Sequence, residues 1–219
     1  MKPAGSTVVF DFDGTLVGRD SFLDFATRYC LRRPARVLLL VVMLPLAGLL
    51  RLRSSRAALS ALLWAITIGT STRSFVVALQ RYAARTLARC AHEAIFQELH
   101  RHLQAGDRVV IATGSLPVLV RGLFRARRLA YLPVVGSRMK TRWGGLVVDT
   151  HCVGRTKPRE LKRRLGIVEW STVYTDSFAD RSLMRRARDI TLVGPSPRTL
   201  ACSRDLIDSG VRLRVLPPA

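Results

Sequence analysis

Four short stretches of this 219-residue chain carry side chains whose types and spacing suit the handling of phosphate. The first is V-V-F-D-F-D-G-T-L, from Val8 to Leu16, in which apolar Val8, Val9 and Phe10 run straight into Asp11 and Asp13. Ionised carboxylates at the edge of an apolar strand are costly unless a cation or hydrogen-bond donors compensate them, so the pair marks a site at the strand's C-terminal end. A plain Asp-Gly turn is the competing reading. The second stretch is R-V-V-I-A-T-G-S, a buried strand that delivers Thr113, Gly114 and Ser115 ahead of a helix opening at Pro117. There the Thr113 hydroxyl and the backbone N–H groups of Gly114 and Ser115 could donate to phosphate oxygens, although turns of this kind also serve structure alone. The third is Lys157, just before Pro158 at the start of a helix reaching about Leu165, where ammonium and helix dipole both attract an anion. A solvated surface lysine is the alternative. The fourth is S-T-V-Y-T-D-S-F-A-D, a strand ending in Asp176 with Asp180 one helical turn later on the same face.

The elements that must position these residues alternate between strand and helix, which implies a parallel sheet with ligands at the C-terminal ends of its strands. Four of the 11 Asp sit at two such ends, while no His or Cys joins them. Clustered carboxylates alone suit a hard, oxygen-liganded ion, and Mg²⁺ is the expected one. Elsewhere Leu132 to Val135 reads as a short strand, R-M-K-T-R-W-G-G-L-V-V-D as a hairpin turning at Gly144-Gly145, and the C-terminal part as strand, helix (Leu200 to Ile207) and strand.

Between the first and second stretches the chain reads as helical and unlike the rest. Arg28, Arg32, Arg33 and Arg36 lead into fourteen residues, Val37 to Leu50, without a charge, and Arg51, Arg53 and Arg56 follow. A second uncharged run of sixteen residues, Ala57 to Thr72, contains Trp64. A spanning helix needs about 20 apolar residues, so neither run is a comfortable span, and Pro45 would kink the first. The expected arrangement is two helices dipping into one leaflet, with flanking arginines snorkelling to anionic head groups and Trp64 entering the acyl region. A buried helical cap or a dimer interface is the alternative. From Phe75 to His102 the pattern predicts one amphipathic helix, with Phe75, Leu79, Tyr82, Leu87, Ile95, Phe96 and Leu99 inward.

The length suits one sizeable domain, or a core with an insertion. The net charge is +21, and 32 of the 36 basic residues are Arg, which favours anionic partners without choosing among phosphate esters, acidic lipids and nucleic acid. Aromatics are too few among the basic residues for a base-stacking platform, so nucleic acid is not an expected partner. Cys30, Cys90, Cys152 and Cys202 are widely spaced, which indicates neither a zinc site nor a disulfide framework and suits a reducing compartment. M-K-P-A-G-S-T has no long apolar stretch, so no cleavable signal peptide is expected.

In order and rough spacing, D-F-D-G-T-L, T-G-S, Lys157 and D-S-F-A-D resemble the four motifs of the haloacid dehalogenase (HAD) superfamily of phosphatases. A closer resemblance is to the bacterial phosphatidylglycerophosphatase C family. It is carried by Asp20, Phe22 and Phe25 after the first motif, L-R-R at Leu31 to Arg33 before an apolar run with Pro45, and L-L-W-A-I-T-I-G-T-S at Leu62 to Ser71. A-T-G-S-L-P-V-L-V at Ala112 to Val120, Gly144-Gly145 and Cys152-x-Gly154 extend it, and it covers about Val8 to Asp180.

The resemblance implies an α/β fold: a HAD-like Rossmannoid core with a parallel sheet, residues 1–19 and 103–219, and an inserted helical (C1-type) cap, residues 20–102, carrying apolar segments 37–50 and 57–72. It implies Asp11 as nucleophile and Asp13 as acid/base. Mg²⁺ would be held by Asp11, the Asp13 backbone carbonyl and Asp176, with Asp180 and Ser115 in support, and phosphate by Thr113, Gly114 and Lys157. A dehalogenase of this superfamily lacks the second carboxylate, so Asp13 favours phosphoester hydrolysis. The expected enzyme is a Mg²⁺-dependent lipid phosphatase converting phosphatidylglycerophosphate to phosphatidylglycerol at the cytoplasmic face of the bacterial inner membrane. A soluble phosphatase of a small metabolite such as phosphoserine, and a basic non-catalytic binding module, are the alternatives; oligomeric state is left open.

Overall fold

A computed structural model describes residues 5–207 and 210–217; the M-K-P-A that opens the segment read for a leader lies outside them. Strand β1 (Thr7–Phe10) leads into α1 (Ser21–Leu31), α2 (Pro34–Arg53), α3 (Ser55–Thr67) and α4 (Thr72–Arg85), a 3-10 turn (Leu87–Cys90) and α5 (Glu93–Gln104). Next come β2 (Arg108–Ala112), α6 (Pro117–Ala126), β3 (Val134–Val135) and a hairpin of β4 (Arg138–Arg142) and β5 (Gly145–Thr150). The chain closes with α7 (Thr156–Leu165), β6 (Trp170–Thr175), a 3-10 turn (Phe178–Asp180), α8 (Arg181–Met184), β7 (Ala187–Val193), α9 (Pro197–Ile207) and β8 (Arg212–Leu216).

Six strands form a sheet in the order β3-β2-β1-β6-β7-β8, and every neighbouring pair is parallel. Side chains alternate across it. Val8 and Phe10 enter one core layer with Phe96 and Leu119, whereas Val9, Val110 and Ala112 enter the other with Leu161 and Leu183. Helices thus cover both faces, which is why β1 and β2 read as unbroken apolar runs. The strand order reverses between β1 and β6, so the crevice at their C-terminal ends is the topological switch point where such sheets bind ligands. This is an α/β fold with a parallel Rossmann-like sheet.

Three details differ from the sequence expectation. The hairpin turns one residue early: Trp143 (φ 50°) and Gly144 (φ 73°) are both left-handed, as a two-residue primed turn requires, and Gly145 already belongs to β5. The single helix expected over Phe75–His102 is two helices separated by the Leu87–Cys90 turn. No Gly or Pro marks that break. Tertiary pairing makes it: the Gly18 N–H donates to Cys90 O and the His92 N–H to Leu16 O, stitching residues 90–92 to the loop after β1.

The third difference concerns the two apolar runs. Helix α3 stops at Thr67 and the chain bends by 97° into α4. Its Ser60, Trp64 and Thr67 lie at i, i+4 and i+7 and face the hairpin: Ser60 Oγ accepts from Val148 N (3.1 Å), Thr67 Oγ1 from Leu146 N (2.8 Å), and Trp64 Nε1 donates to Trp143 O (2.9 Å). Trp64 is therefore bound to the hairpin through its indole N–H. Leu63 and Ile66 are buried, so one face of α3 packs within the folded chain. Helix α2, by contrast, recruits flanking residues to reach 20, enough by length and apolarity (mean hydropathy 2.1) to cross a membrane. Of its residues, all described, only Ala47 is buried, and Leu38, Val42, Leu49 and Leu52 stand exposed. Arg36 does not reach away from this pair: its guanidinium donates to Ile66 O (2.6 Å) and to Thr70 Oγ1, tying α2 to the C-terminal end of α3.

Candidate active site

Strand β1 ends at Phe10, and the backbone continues its pairing for one more residue, with the Asp11 N–H donating to Tyr174 O at 2.9 Å. This fixes the Asp11 side chain at the sheet's rim, where it is buried. Its Oδ1 accepts from the Phe12 N–H (2.7 Å) and lies 2.8 Å from Lys157 Nζ. Lys157, from the first turn of α7, is also buried and sits 2.7 Å from Asp180 Oδ2, which accepts from Thr175 Oγ1 as well (3.1 Å). The solvated-surface reading of Lys157 is thereby excluded. Asp13 Oδ1 accepts from the Ser21 N–H at 2.8 Å, the start of α1.

Gly14 brings Asp176 to the same place. Its φ of +75° turns the chain back after the two acids, and a Cβ there would lie 2.3 Å from Asp176 Oδ2. Only glycine permits both the turn and the approach. Asp11, Asp13, Gly14, Gly114, Lys157, Asp176 and Asp180 together line one cavity of about 420 Å³. The turn reading of Asp11–Gly14 is accordingly incomplete: the turn exists, and it carries a site.

Burial dominates the electrostatics. It pushes Asp11 well above the usual carboxylate range, with the Asp180 and Asp13 charges adding to it and the Lys157 ammonium opposing it. Burial likewise takes Asp13 up to about 6 against the Ser21 hydrogen bonds, and raises Asp176. For Lys157, burial works against the charged form, but the Asp11 and Asp180 carboxylates overcome it and hold the ammonium protonated.

The T-G-S turn is divided. Gly114 lines the cavity, whereas Thr113 is fully buried with its Oγ1 accepting from the Ser115 N–H (2.9 Å), so that N–H is already engaged. Ser115 Oγ meets Ser21 Oγ at 2.8 Å. Sequence reasoning did not assign Arg19 and Asp20, which also line the cavity; Asp20 carried a signal, being the N-cap of α1 with Oδ1 accepting from Leu23 N. Nor did it find a second, mostly apolar pocket of about 230 Å³ that shares Asp13, Asp20 and Gly114 with the first. Phe22, Leu59, Leu63, Met139 and Val148 wall it, with Arg138 and His151 at its edge.

Five carboxylates, those of Asp11, Asp13, Asp20, Asp176 and Asp180, line the first cavity together with the cations Lys157 and Arg19. A hard divalent ion fits that chemistry. Among the described residues no three His, Cys, Asp or Glu side chains form a metal-binding group by themselves, so the fit depends on two carboxylates, Asp11 and Asp176, supplemented by main-chain oxygen and water.

The family model of the haloacid dehalogenase-like hydrolases matches residues 8–185. The chain belongs to that family. Its fold recurs in solved structures. A protein of unknown function from Bordetella pertussis Tohama I superposes with a TM-score of 0.70 at 17% identity, covering 96% of this chain and 98% of the other. A phosphoserine phosphatase in apo form gives 0.61 at 15% identity, over 96% and 93%. A phospho-aspartyl intermediate analogue of phosphoserine phosphatase gives 0.55 at 15% identity, over 97% and 94%. In this haloacid dehalogenase-like hydrolase the candidate residues lie at the strand ends where sheets of this kind bind ligands.

Proposed function

We propose that this hydrolase is a Mg²⁺-dependent phosphomonoesterase working through an aspartyl-phosphate, and that its substrate is a membrane phospholipid monoester, phosphatidylglycerophosphate, attacked from the cytoplasmic leaflet. The observation that carries the first part is the asymmetry of Asp11. Two donors, Phe12 N–H and Lys157 Nζ, fix Oδ1. Oδ2 is left to attack phosphorus, forming the O–P bond as the bond to the leaving alkoxide breaks. Asp13, oriented by Ser21 N–H, gives its proton to that alkoxide and then takes one from the water that cleaves the aspartyl-phosphate, releasing phosphate and restoring Asp11. Lys157 and the backbone around Gly114 stabilise the equatorial oxygens of the transferring group. Mg²⁺ held by Asp11, the Asp13 carbonyl and Asp176, with Asp180 behind Lys157, would supply charge neutralisation on the phosphoryl group.

The substrate reading is supported by what adjoins Asp13. The leaving group departs toward the acid, and beside it lies the apolar pocket walled by Phe22, Leu59, Leu63, Met139 and Val148. Such a wall suits a glycerolipid and offers little to a charged amino-acid alcohol. The exposed apolar length of α2, bracketed by Arg32, Arg33, Arg51 and Arg53, supports contact with an anionic bilayer, and with it the membrane location and a cap formed by the helices between the first two motifs. The resemblance to the phosphatidylglycerophosphatase C family agrees with this reading.

Phosphate release should be measured from phosphatidylglycerophosphate in mixed vesicles, other lipid phosphomonoesters, and soluble esters including phosphoserine, with Mg²⁺ and with chelator. The expected result is chelator-sensitive release that is fastest from phosphatidylglycerophosphate. Activity confined to soluble esters would overturn the lipid assignment and leave the chemistry standing, whereas undiminished activity in chelator would overturn the metal.

A further inference from the structure

We propose that a basic groove between α1 and α4 is a second, non-catalytic site for the phosphate of an anionic phospholipid headgroup. This rests on the membrane reading above. The groove encloses about 400 Å³ and shares no lining residue with the catalytic cavity. Its walls carry Arg28 and Arg32 from α1 and its end, Arg81 and Arg85 from α4, and Arg33, above a floor of aromatic rings. Phe25 and Tyr82 meet at 5.5 Å and Tyr29 and Phe75 at 5.6 Å, so the two helices are locked together beneath the arginines. The pairs 28/32 and 81/85 are each spaced i,i+4, which stacks their guanidinium groups on one helical face.

What marks this cluster is that arginines short of acid gather about one concavity, whereas some arginines elsewhere have carboxylate partners. Arg163 and Arg164 pair with Glu160, Arg101 and Arg214 with Glu98, and Arg212 with Asp189. In the groove Arg28 reaches Asp24, but that carboxylate is shared with Arg19 and with the Tyr82 hydroxyl. Among the described residues, Arg32, Arg33, Arg81 and Arg85 form no ion pair; Arg33 instead lies over the Tyr29 ring at 5.3 Å. Like charges gathered around a concavity are stabilised by an anion, and guanidinium forks match phosphate geometry.

The neighbourhood selects lipid over free phosphate. Arg32 and Arg33 directly precede Pro34, the first residue of α2, whose apolar face is exposed. A phospholipid with its acyl chains against α2 puts its headgroup at the groove, and Arg19 pairs with Asp24 (3.3 Å), the partner of the groove's Arg28, and also lines the catalytic cavity.

The test is co-sedimentation of the full chain with vesicles of phosphatidylcholine, alone or mixed with phosphatidylglycerol. Arg81→Gln/Arg85→Gln should weaken binding to the mixed vesicles roughly tenfold, and exposed Arg32→Gln alone by about threefold, from the loss of surface-proximal charge. Arg81→Lys/Arg85→Lys keeps the charge but not the guanidinium fork and should weaken binding by about threefold, whereas Arg121→Gln/Arg125→Gln, an exposed i,i+4 pair on α6, should change it by less than about twofold. Unfolding midpoints by circular dichroism verify that each variant is folded. Equal losses from the α4 and α6 pairs would mean diffuse charge and would overturn the site. Release of the protein by inorganic phosphate, at concentrations where chloride of equal ionic strength does nothing, would reassign the groove to free phosphate and overturn the lipid source. Groove-dependent binding without hydrolysis of phosphatidylglycerophosphate would sink the proposed function alone; hydrolysis with groove-independent binding would sink this inference alone.

Discussion

The rim of the sheet and helix α2 depart from ordinary burial in opposite directions. At the rim the chain hides charge: Lys157 and Asp180 are 3% and 2% exposed. Along α2 it displays hydrocarbon: Leu38 is 68% exposed and Leu52 85%. Buried ions require compensation, and the rim supplies part of it internally, since one ammonium serves two carboxylates, while among the described residues Asp13 and Asp176 form no ion pair. Helix α2 has no such internal answer. Each region leaves something uncompensated within the described residues, charge in one case and apolar surface in the other, and the contrast can be tested on each.

The largest effect belongs to the rim. Asp11→Asn removes the attacking oxygen's charge and should lower kcat for any phosphomonoester by at least about 10³-fold, with the unfolding midpoint little changed. A variant within tenfold of the parent would mean that Asp11 is not the nucleophile. Next, Lys157→Met leaves Asp11 and Asp180 facing each other without their cation and should cost about 3–5 kcal/mol in denaturant unfolding. Adding Asp180→Asn should recover part of that loss; no recovery would show that packing, rather than charge, sets the cost.

The helices supply the smaller contrasts. Ile66→Ala in buried α3 should cost about 2–4 kcal/mol, whereas Leu49→Ala in exposed α2 should stay within about 0.5 kcal/mol. Equal costs would show that α2 packs against something within the folded chain. Finally, Trp64→Phe removes the bond to Trp143 O and should cost about 1 kcal/mol, read from the same unfolding curves. A neutral result would mean that the packing of the Trp64 ring, and not its N–H, seats α3 on the hairpin.

The legibility of the molecule follows the range of the interactions involved. Asp11, Asp13 and Gly14 could be read because a strand, two acids and a turn are contiguous, and Asp176 because the same pattern repeats at β6. The parallel sheet was equally plain from Val8–Phe10 and Val109–Ala112, whose apolar runs need cover on both faces. Lys157 was placed correctly at a helix start, but its two carboxylate partners lie 146 and 23 residues away and only the fold discloses them. The two apolar runs look alike in composition, and what separates them is Ser60, Trp64 and Thr67, three polar groups on one stripe of α3 that find the hairpin. Helix α2 has no such groups between Val37 and Leu50. The break at Leu87–Cys90 was invisible because backbone pairing with the loop after β1, and no local breaker, produces it.

The apolar pocket beside Asp13 has walls from three separate parts of the chain, Phe22 from α1, Leu59 and Leu63 from α3 and Met139 and Val148 from the hairpin, and none of these side chains carries a reacting atom. On the proposed reading, selectivity and chemistry would be heritable separately. Exchanging Leu59 or Met139 for a larger or smaller neighbour would then alter which alcohol fits while the acids at the rim stay untouched, so a lineage built on this scaffold would drift from one ester to another by single substitutions.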